Sequence, residues 1–243
     1  MPIIKLNAID STNSFLRQLC MEKAIEDYTA VTTKHQTQGR GQMGTVWDSE
    51  KGKNLMCSVF KRNNDIDIEH QFYISMVTSL ALIKTLQTFN VPKLNVKWPN
   101  DILAENNKIC GILIENVIKK NKIEASIIGI GLNVNQIGFK NLPNASSLKE
   151  LTGIVFDLDE LVQVIISNLK FYFNLLANGK FNKLKKEYET YLFRKGKPSS
   201  FKLKSGDVIP GFIEGVNENG KLIVRLEDDI RKVFDLKEIQ LLY

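Results

Sequence analysis

The sequence predicts helices and strands mixed over residues 1–195, followed by a small all-β domain over 198–243. Helical apolar periods occur after Asp10-Ser11-Thr12-Asn13, between Ile68 and Phe89, and between Asp157 and Ala177. Short apolar runs bounded by turn residues separate them and read as strands. After Arg194-Lys195-Gly196-Lys197-Pro198 no helical period returns, which places a domain boundary there. At 243 residues, 43% of them hydrophobic, the chain has ample length for a buried core.

Pro2 to Ile9 is the first expected strand. Each residue from Asp10 to Asn13 is a natural helix N-cap, ahead of the stripe Phe15, Leu16, Leu19. Ser11 and Thr12 there serve either as caps or, at a helix N-terminus, as holders of a polar ligand. A strand runs to Gln36 and another from Asn54 to Lys61. The helix from about Ile68 to Phe89 is apolar on most sides and belongs in the core. Leu94 to Trp98 is a strand that Pro99 stops. A hairpin joins Ile102–Ala104 to 108–119, and the chain returns through 123–130 into Gly129-Ile130-Gly131-Leu132-Asn133, where the glycines invite a close neighbour. A turn and short helix fill 144–153. A long helix begins at Asp157 with Glu160 completing a capping-box-like start and ends at Asn178-Gly179, and a further helix spans 181–193. The strands 200–204, 208–217, 221–227 and 231–242, joined by Asn-Gly and Asp-Asp turns, suggest a small barrel.

The loop from Gln36 to Trp47 (Gln-Thr-Gln-Gly-Arg-Gly-Gln-Met-Gly-Thr-Val-Trp) carries the strongest chemical signal. Gly39, Gly41 and Gly44 allow a tight turn with backbone N–H groups turned to a ligand, and Arg40 adds a cation with fork geometry. Such a loop suits an anion, although glycine-rich turns without function are common. The letters also spell a dinucleotide fingerprint, but no helical period follows Gly44. A kinase loop needs a later His-Arg-Asp, and His35 and His70 are each followed by Gln. A Walker loop fails because Gly52-Lys53 precedes Asn54.

Two further stretches carry chemistry. Lys97-Trp98-Pro99-Asn100-Asp101 puts Lys, Trp, Asn and Asp at a strand end, as a site or as a structural turn. Lys108 stands at the start of an apolar strand, where a lysine is either catalytic or snorkels outward. Nine basic residues fall between Lys180 and Lys204 against two acids, although the net charge is only +6. That stretch fits a nucleic-acid face, a dock for an acidic protein, or a solvated helix face. Cys20, Cys57 and Cys110 are odd in number, without metal-ligand spacing, and read as buried reduced thiols. The first residues lack a signal-peptide core and no run is long enough for a membrane span, so the expected location is cytoplasmic.

Together, Asp10–Asn13, the Gln36–Trp47 loop, Lys97–Asp101, Lys108-Ile109-Cys110-Gly111-Ile112-Leu113-Ile114-Glu115 and Gly129–Asn133 resemble the biotin–protein ligase family, in its order and over nearly the whole chain. The resemblance implies an α+β mixed-sheet catalytic domain of the class II synthetase and biotin–lipoate ligase type, with an SH3-like C-terminal domain. It implies that biotin and Mg2+-ATP give biotinyl-5′-AMP and pyrophosphate, and that a lysine of a biotin carboxyl carrier protein then takes the biotin. Carried over by position, Ser11, Thr12, Asn13 and Gln36 hold biotin's ureido end, and Gly39, Gly41 and Gly111 offer backbone donors. Arg40 and Lys108 are the catalytic cations. Gln42, Trp47, Lys97, Asn100, Asp101 and Asn133 surround the nucleotide. No metal ligand is assigned, and Mg2+ rides on the phosphates. Gln42 and Met43 depart from the family, many of whose members carry arginine at the first position and a second basic residue beside it.

Lipoate–protein ligases share fold and chemistry but use a different arginine-and-glycine motif, absent here. Some family members are DNA-binding repressors with an N-terminal winged helix-turn-helix; ten residues precede Ser11, so a monofunctional enzyme without DNA binding is expected, as monomer or homodimer.

Overall fold

The structure is a computed structural model that describes residues 2–140 and 142–243. Seven strands form one mixed sheet: β1 (Ile3–Leu6), β2 (Ala30–Thr33), β3 (Leu55–Asp67), β4 (Leu94–Lys97), β5 (Asp101–Ala104), β6 (Asn107–Lys119) and β7 (Lys122–Leu132). Their order is β1-β2-β3-β7-β6-β5-β4; β1 and β2 run parallel and every other pair is antiparallel. This is the α+β arrangement with a mixed sheet that the family resemblance implied.

The sheet's two faces are covered unequally, and that inequality makes the site. On one face α2 (Gln71–Thr88) and α4 (Leu158–Ala177) cover Ala30, Cys57, Val59, Ile128 and Ile130 in the main core. α2 is buried almost all round, as its sequence predicts, and the hydroxyls of Thr78 and Thr85 return to the carbonyls of Ile74 and Ala81. On the other face the shorter α1 (Thr12–Glu22) covers Val31, Phe60, Ala125 and Ile127 with Leu16. It begins part-way along the sheet, so the surface beyond its N-terminus is left to loops.

Caps account for two helix starts. α3 (Leu148–Thr152) opens on a complete capping box between Ser147 and Glu150. α4 opens on Asp157, whose carboxylate accepts the N–H groups of Asp159 and Glu160. α5 is shorter than expected, Phe181–Thr190.

Residues from 198 onward form a second, antiparallel sheet: β8 (Pro198–Leu203), β9 (Val208–Val216), β10 (Leu222–Arg225), β11 (Arg231–Phe234) and β12 (Ile239–Leu242). One expectation needs correction. The single strand 231–242 is broken by a turn at Asp235–Glu238, where the Glu238 N–H donates to Asp235 O and the Asp235 N–H to Glu238 Oε2. The sheet is ordered β11-β10-β9-β8-β12, consistent with the expected small C-terminal β domain, and the strands on either side of that turn pair with β10 and β8. Phe201, Ile213, Val216 and Val224 join the main core, and Trp98 Nε1 donates to Gly220 O at 2.8 Å. Within the basic stretch, Lys185 and Lys195 flank Glu189, and Arg194 holds Ser199 Oγ and Pro198 O. Arg194 ties the two parts together, and so does Glu189, whose Oε1 accepts the Val216 N–H.

Candidate active site

A cavity of about 700 Å³ opens on the α1 face of the large sheet, beyond the helix N-terminus. Along β7 that face reads Ala125, Ile127, Gly129, Gly131. The first two residues pack under α1; at the next two the side chain is missing. A Cβ on Gly129 would stand 2.5 Å from Asn13 Oδ1, and one on Gly131 2.5 Å from Trp47 Cε2. The glycines therefore let a polar side chain and an indole lie directly on the sheet.

At the α1 end, Ser11, Thr12 and Asn13 are each no more than 4% exposed. Ser11 holds the N-cap position without capping the helix, so the capping alternative fails for its hydroxyl. Ser58 Oγ lies 2.7 Å from Thr12 Oγ1 and 2.5 Å from Asn13 Oδ1. Gln36 Oε1 accepts the Thr12 N–H at 2.8 Å and the Thr12 hydroxyl at 3.1 Å. The cluster is buried, and Thr12, Asn13, Ser58 and Gln36 are bonded among themselves.

The glycine loop folds back as a small hairpin: the Trp47 N–H donates to Gly39 O, and the Gly41 N–H to Thr45 O at 2.7 Å. Gly41's donor is thus taken by the loop itself. Gly39 does not line the cavity; its place is against the Trp47 carbonyl, 2.2 Å from where a Cβ would be. Trp47 lies on Gly131, with its indole N–H enclosed and without a partner among the described residues. Arg40 reaches Glu115 Oε2 with one terminal nitrogen at 3.1 Å.

Lys108 and Asp101 form an ion pair of 2.7 Å, and the Lys108 ammonium stands 5.7 Å from the centre of the Trp47 ring. The Lys108 backbone is clamped by the 133–147 connection: its N–H donates to Asn144 O and its carbonyl accepts the Ser146 N–H. Asn133 Nδ2 holds that connection at Ser146 O. Asn100 joins β6, its Nδ2 donating to Ile112 O. Lys97 faces the Tyr243 ring at 4.6 Å. Burial lowers its pKa, with Asp101 opposing that shift and Lys108 adding to it. Cys57 borders the cavity from β3 but belongs to the core under α2 and α4, and burial pushes its thiol up to about 12. It stays protonated and is no nucleophile.

Apart from Gly39, every residue expected at the site lines this one cavity: Ser11, Thr12, Asn13, Gln36, Arg40, Gly41, Gln42, Trp47, Lys97, Asn100, Asp101, Lys108, Gly111 and Asn133. Sequence reasoning missed Ser58, the wall formed by Phe139, Leu142 and Pro143, and Tyr243 from the second sheet. A serine amid the apolar run 55–60 and a long connection without regular structure were the available signals. Among the described residues no group of three His, Cys, Asp or Glu is placed to hold a metal ion, and no helix is long and apolar enough to cross a membrane.

Residues 6–133 match the model of the biotin/lipoate A/B protein ligase family. The bifunctional ligase/repressor BirA of Escherichia coli is 30% identical over 252 residues, covering 97% of this chain and 73% of that protein. The biotin–[acetyl-CoA-carboxylase] ligase of Mycobacterium tuberculosis is 26% identical over 215 residues, 87% of this chain and 79% of that one. Among solved structures, the biotin protein ligase of Aquifex aeolicus in complex with biotin and ATP superposes with a TM-score of 0.82 at 26% identity, over 99% of this chain and 98% of that one.

Proposed function

Because the chain belongs to the biotin/lipoate A/B protein ligase family, we propose that it is an ATP-dependent biotin–protein ligase. The biotin carboxylate attacks the α-phosphate of ATP, forming biotinyl-5′-AMP and releasing pyrophosphate. A lysine amine of a carrier protein then attacks the acyl carbon; AMP leaves, the nitrogen loses its proton, and an amide is formed.

One observation carries this reading: two cations from different strands and loops, Arg40 and Lys108, line the same cavity as the buried Ser11–Thr12–Asn13 cluster. Bringing a carboxylate within ~4 Å of a phosphate, at an effective dielectric of about 20, costs ~4 kcal/mol, or roughly a thousandfold in rate. Fixed cations offset that repulsion. Lys108 is held for the task by Asp101 and by the 133–147 connection, and Arg40 approaches from the glycine loop. The hydroxyl and amide groups at the α1 end suit a neutral ureido ring, whose donors and acceptors need fixed partners. Nucleotide recognition falls to Gln42, Trp47, Lys97, Asn100, Asp101 and Asn133. The carboxylates lining the cavity, Asp48 and Asp101, are too few to hold Mg2+ alone, so the ion enters on the phosphates of ATP. The SH3-like domain, residues 198–243, contributes Leu236, Gln240 and Tyr243 to the cavity rim and assists the carrier-protein step.

ATP–pyrophosphate exchange with biotin or lipoate as the added acid tests the reading. Exchange is expected with biotin; exchange with lipoate alone would replace it by a lipoate ligase.

A further inference from the structure

The β6 carboxylate Glu115 lies behind the cavity and is not part of its lining. One of its oxygens, Oε2, accepts from Asn13 Nδ2 at 2.8 Å and from Arg40 at 3.1 Å. It therefore links the two segments that border the cavity, the α1 N-terminus and the glycine loop. Arg40 is the one cation between Gln36 and Trp47, and it meets Glu115 through a single terminal nitrogen. A guanidinium held at one nitrogen keeps its remaining donors for an anion in the cavity. Asn13 is 3% exposed and also bonded to Ser58, so the far end of the linkage is anchored in the core. Lys108 is treated in the same way, paired with the single carboxylate of Asp101.

We propose that Glu115 is a positioning residue that sets the place of the Arg40 guanidinium against the reacting carboxylate and α-phosphate. This rests on the ligase reading above. Arg40 is 44% and Glu115 24% exposed in their side chains, and a pair this wet contributes little to stability. Its effect belongs to the reaction: without the carboxylate, the long arginine side chain samples positions from which it no longer meets the developing charge.

The test is a double-mutant cycle of Glu115→Gln and Arg40→Ala, read by biotin-dependent pyrophosphate exchange, with biotin affinity by calorimetry and thermal midpoint alongside. Glutamine keeps the length of the side chain and an acceptor for Asn13 while removing the charge. In the presence of Arg40 it is expected to lower kcat for exchange about tenfold, with biotin affinity and midpoint little changed. In the Arg40→Ala background the same substitution is expected to have no further effect. An equal fall in both backgrounds, or no fall in either, overturns the proposal, because Glu115 then does not act through Arg40. Should the glutamine variant unfold, Glu115→Asp, which withdraws the charge by one methylene, runs the same cycle with the same two outcomes. A wild-type protein without biotin-dependent exchange instead removes the ligase reading itself.

Discussion

At the α1 end of the cavity Ser11, Thr12, Asn13 and Ser58 are at most 4% exposed, and Thr12, Asn13 and Ser58 are bonded to one another, Gln36 and Glu115. At the opposite end the glycine loop leaves Met43 at 61% and Val46 at 78% exposure, and the described residues of the 133–147 connection form no helix or strand before α3. The first end is part of the folded core, its polar side chains fixed by hydrogen bonds to one another. The glycine loop has few buried residues and can rearrange at little cost, whereas the 133–147 connection is anchored by the buried Asn133, Val134, Ser146 and Ser147. On the proposed ligase function, we infer that the rigid end recognises the acid and that the loops close over the nucleotide. Lys108 stands at their meeting point, its side chain paired with Asp101 and its backbone bonded to Asn144 and Ser146.

The contrast breaks most severely at the second sheet, which supports the loop end through Trp98 and Tyr243. Truncation after Lys197 is expected to abolish transfer to carrier protein, and, since Phe201 and Ile213 belong to the shared core, to lower the thermal midpoint. A truncated protein that remains folded by circular dichroism and transfers biotin normally makes that sheet dispensable. Lys108→Ala is expected to lower pyrophosphate exchange at least ~100-fold, the scale of one lost transition-state donor. Exchange at the wild-type rate removes Lys108 from the mechanism.

Ser58→Ala probes the rigid end. It leaves the buried Asn13 Oδ1 without its hydroxyl donor, a loss of roughly 1–3 kcal/mol shared between stability and ligand binding. Biotin affinity by calorimetry is expected to fall about tenfold, with kcat for exchange nearly unchanged. A fall in kcat with biotin affinity intact contradicts the division of labour between the two ends.

The same contrast governs what the sequence disclosed. The helices, the hairpins and most cavity residues are legible because caps, apolar periods and glycines act locally. Asn13 was legible as one of the polar residues opening a helix, but its partners Ser58 and Glu115 are 45 and 102 positions away, and only the fold of the sheet brings them to it. Tyr243 reaches Lys97 across two sheets for the same reason. The break in the last predicted strand was missed because Asp235-Leu236-Lys237-Glu238 contains neither Gly nor Pro, and its turn is closed by carboxylates accepting backbone N–H groups.

The smallest expected effect lies at the loop end, at the departure from the family pattern. Gln42 and Met43 leave Arg40 as the sole charge in the loop, and Met43 points much of its surface to solvent. A glutamine donates to a phosphate at roughly half the strength of a charge-assisted bond, so the substitution costs on the order of 1 kcal/mol, less than tenfold in affinity. Lys97 lines the same cavity and also stands beside Met43 in the adjoining groove, so it can offset part of that loss. Burial disfavours its charge, however, and it is drawn toward the Tyr243 ring, which limits the compensation. Gln42→Arg is therefore expected to slow release of biotinyl-AMP by less than a factor of ten in stopped-flow measurements. Unchanged or faster release means that Gln42 already completes the site through Lys97, and that the loop end is less open than its exposure suggests.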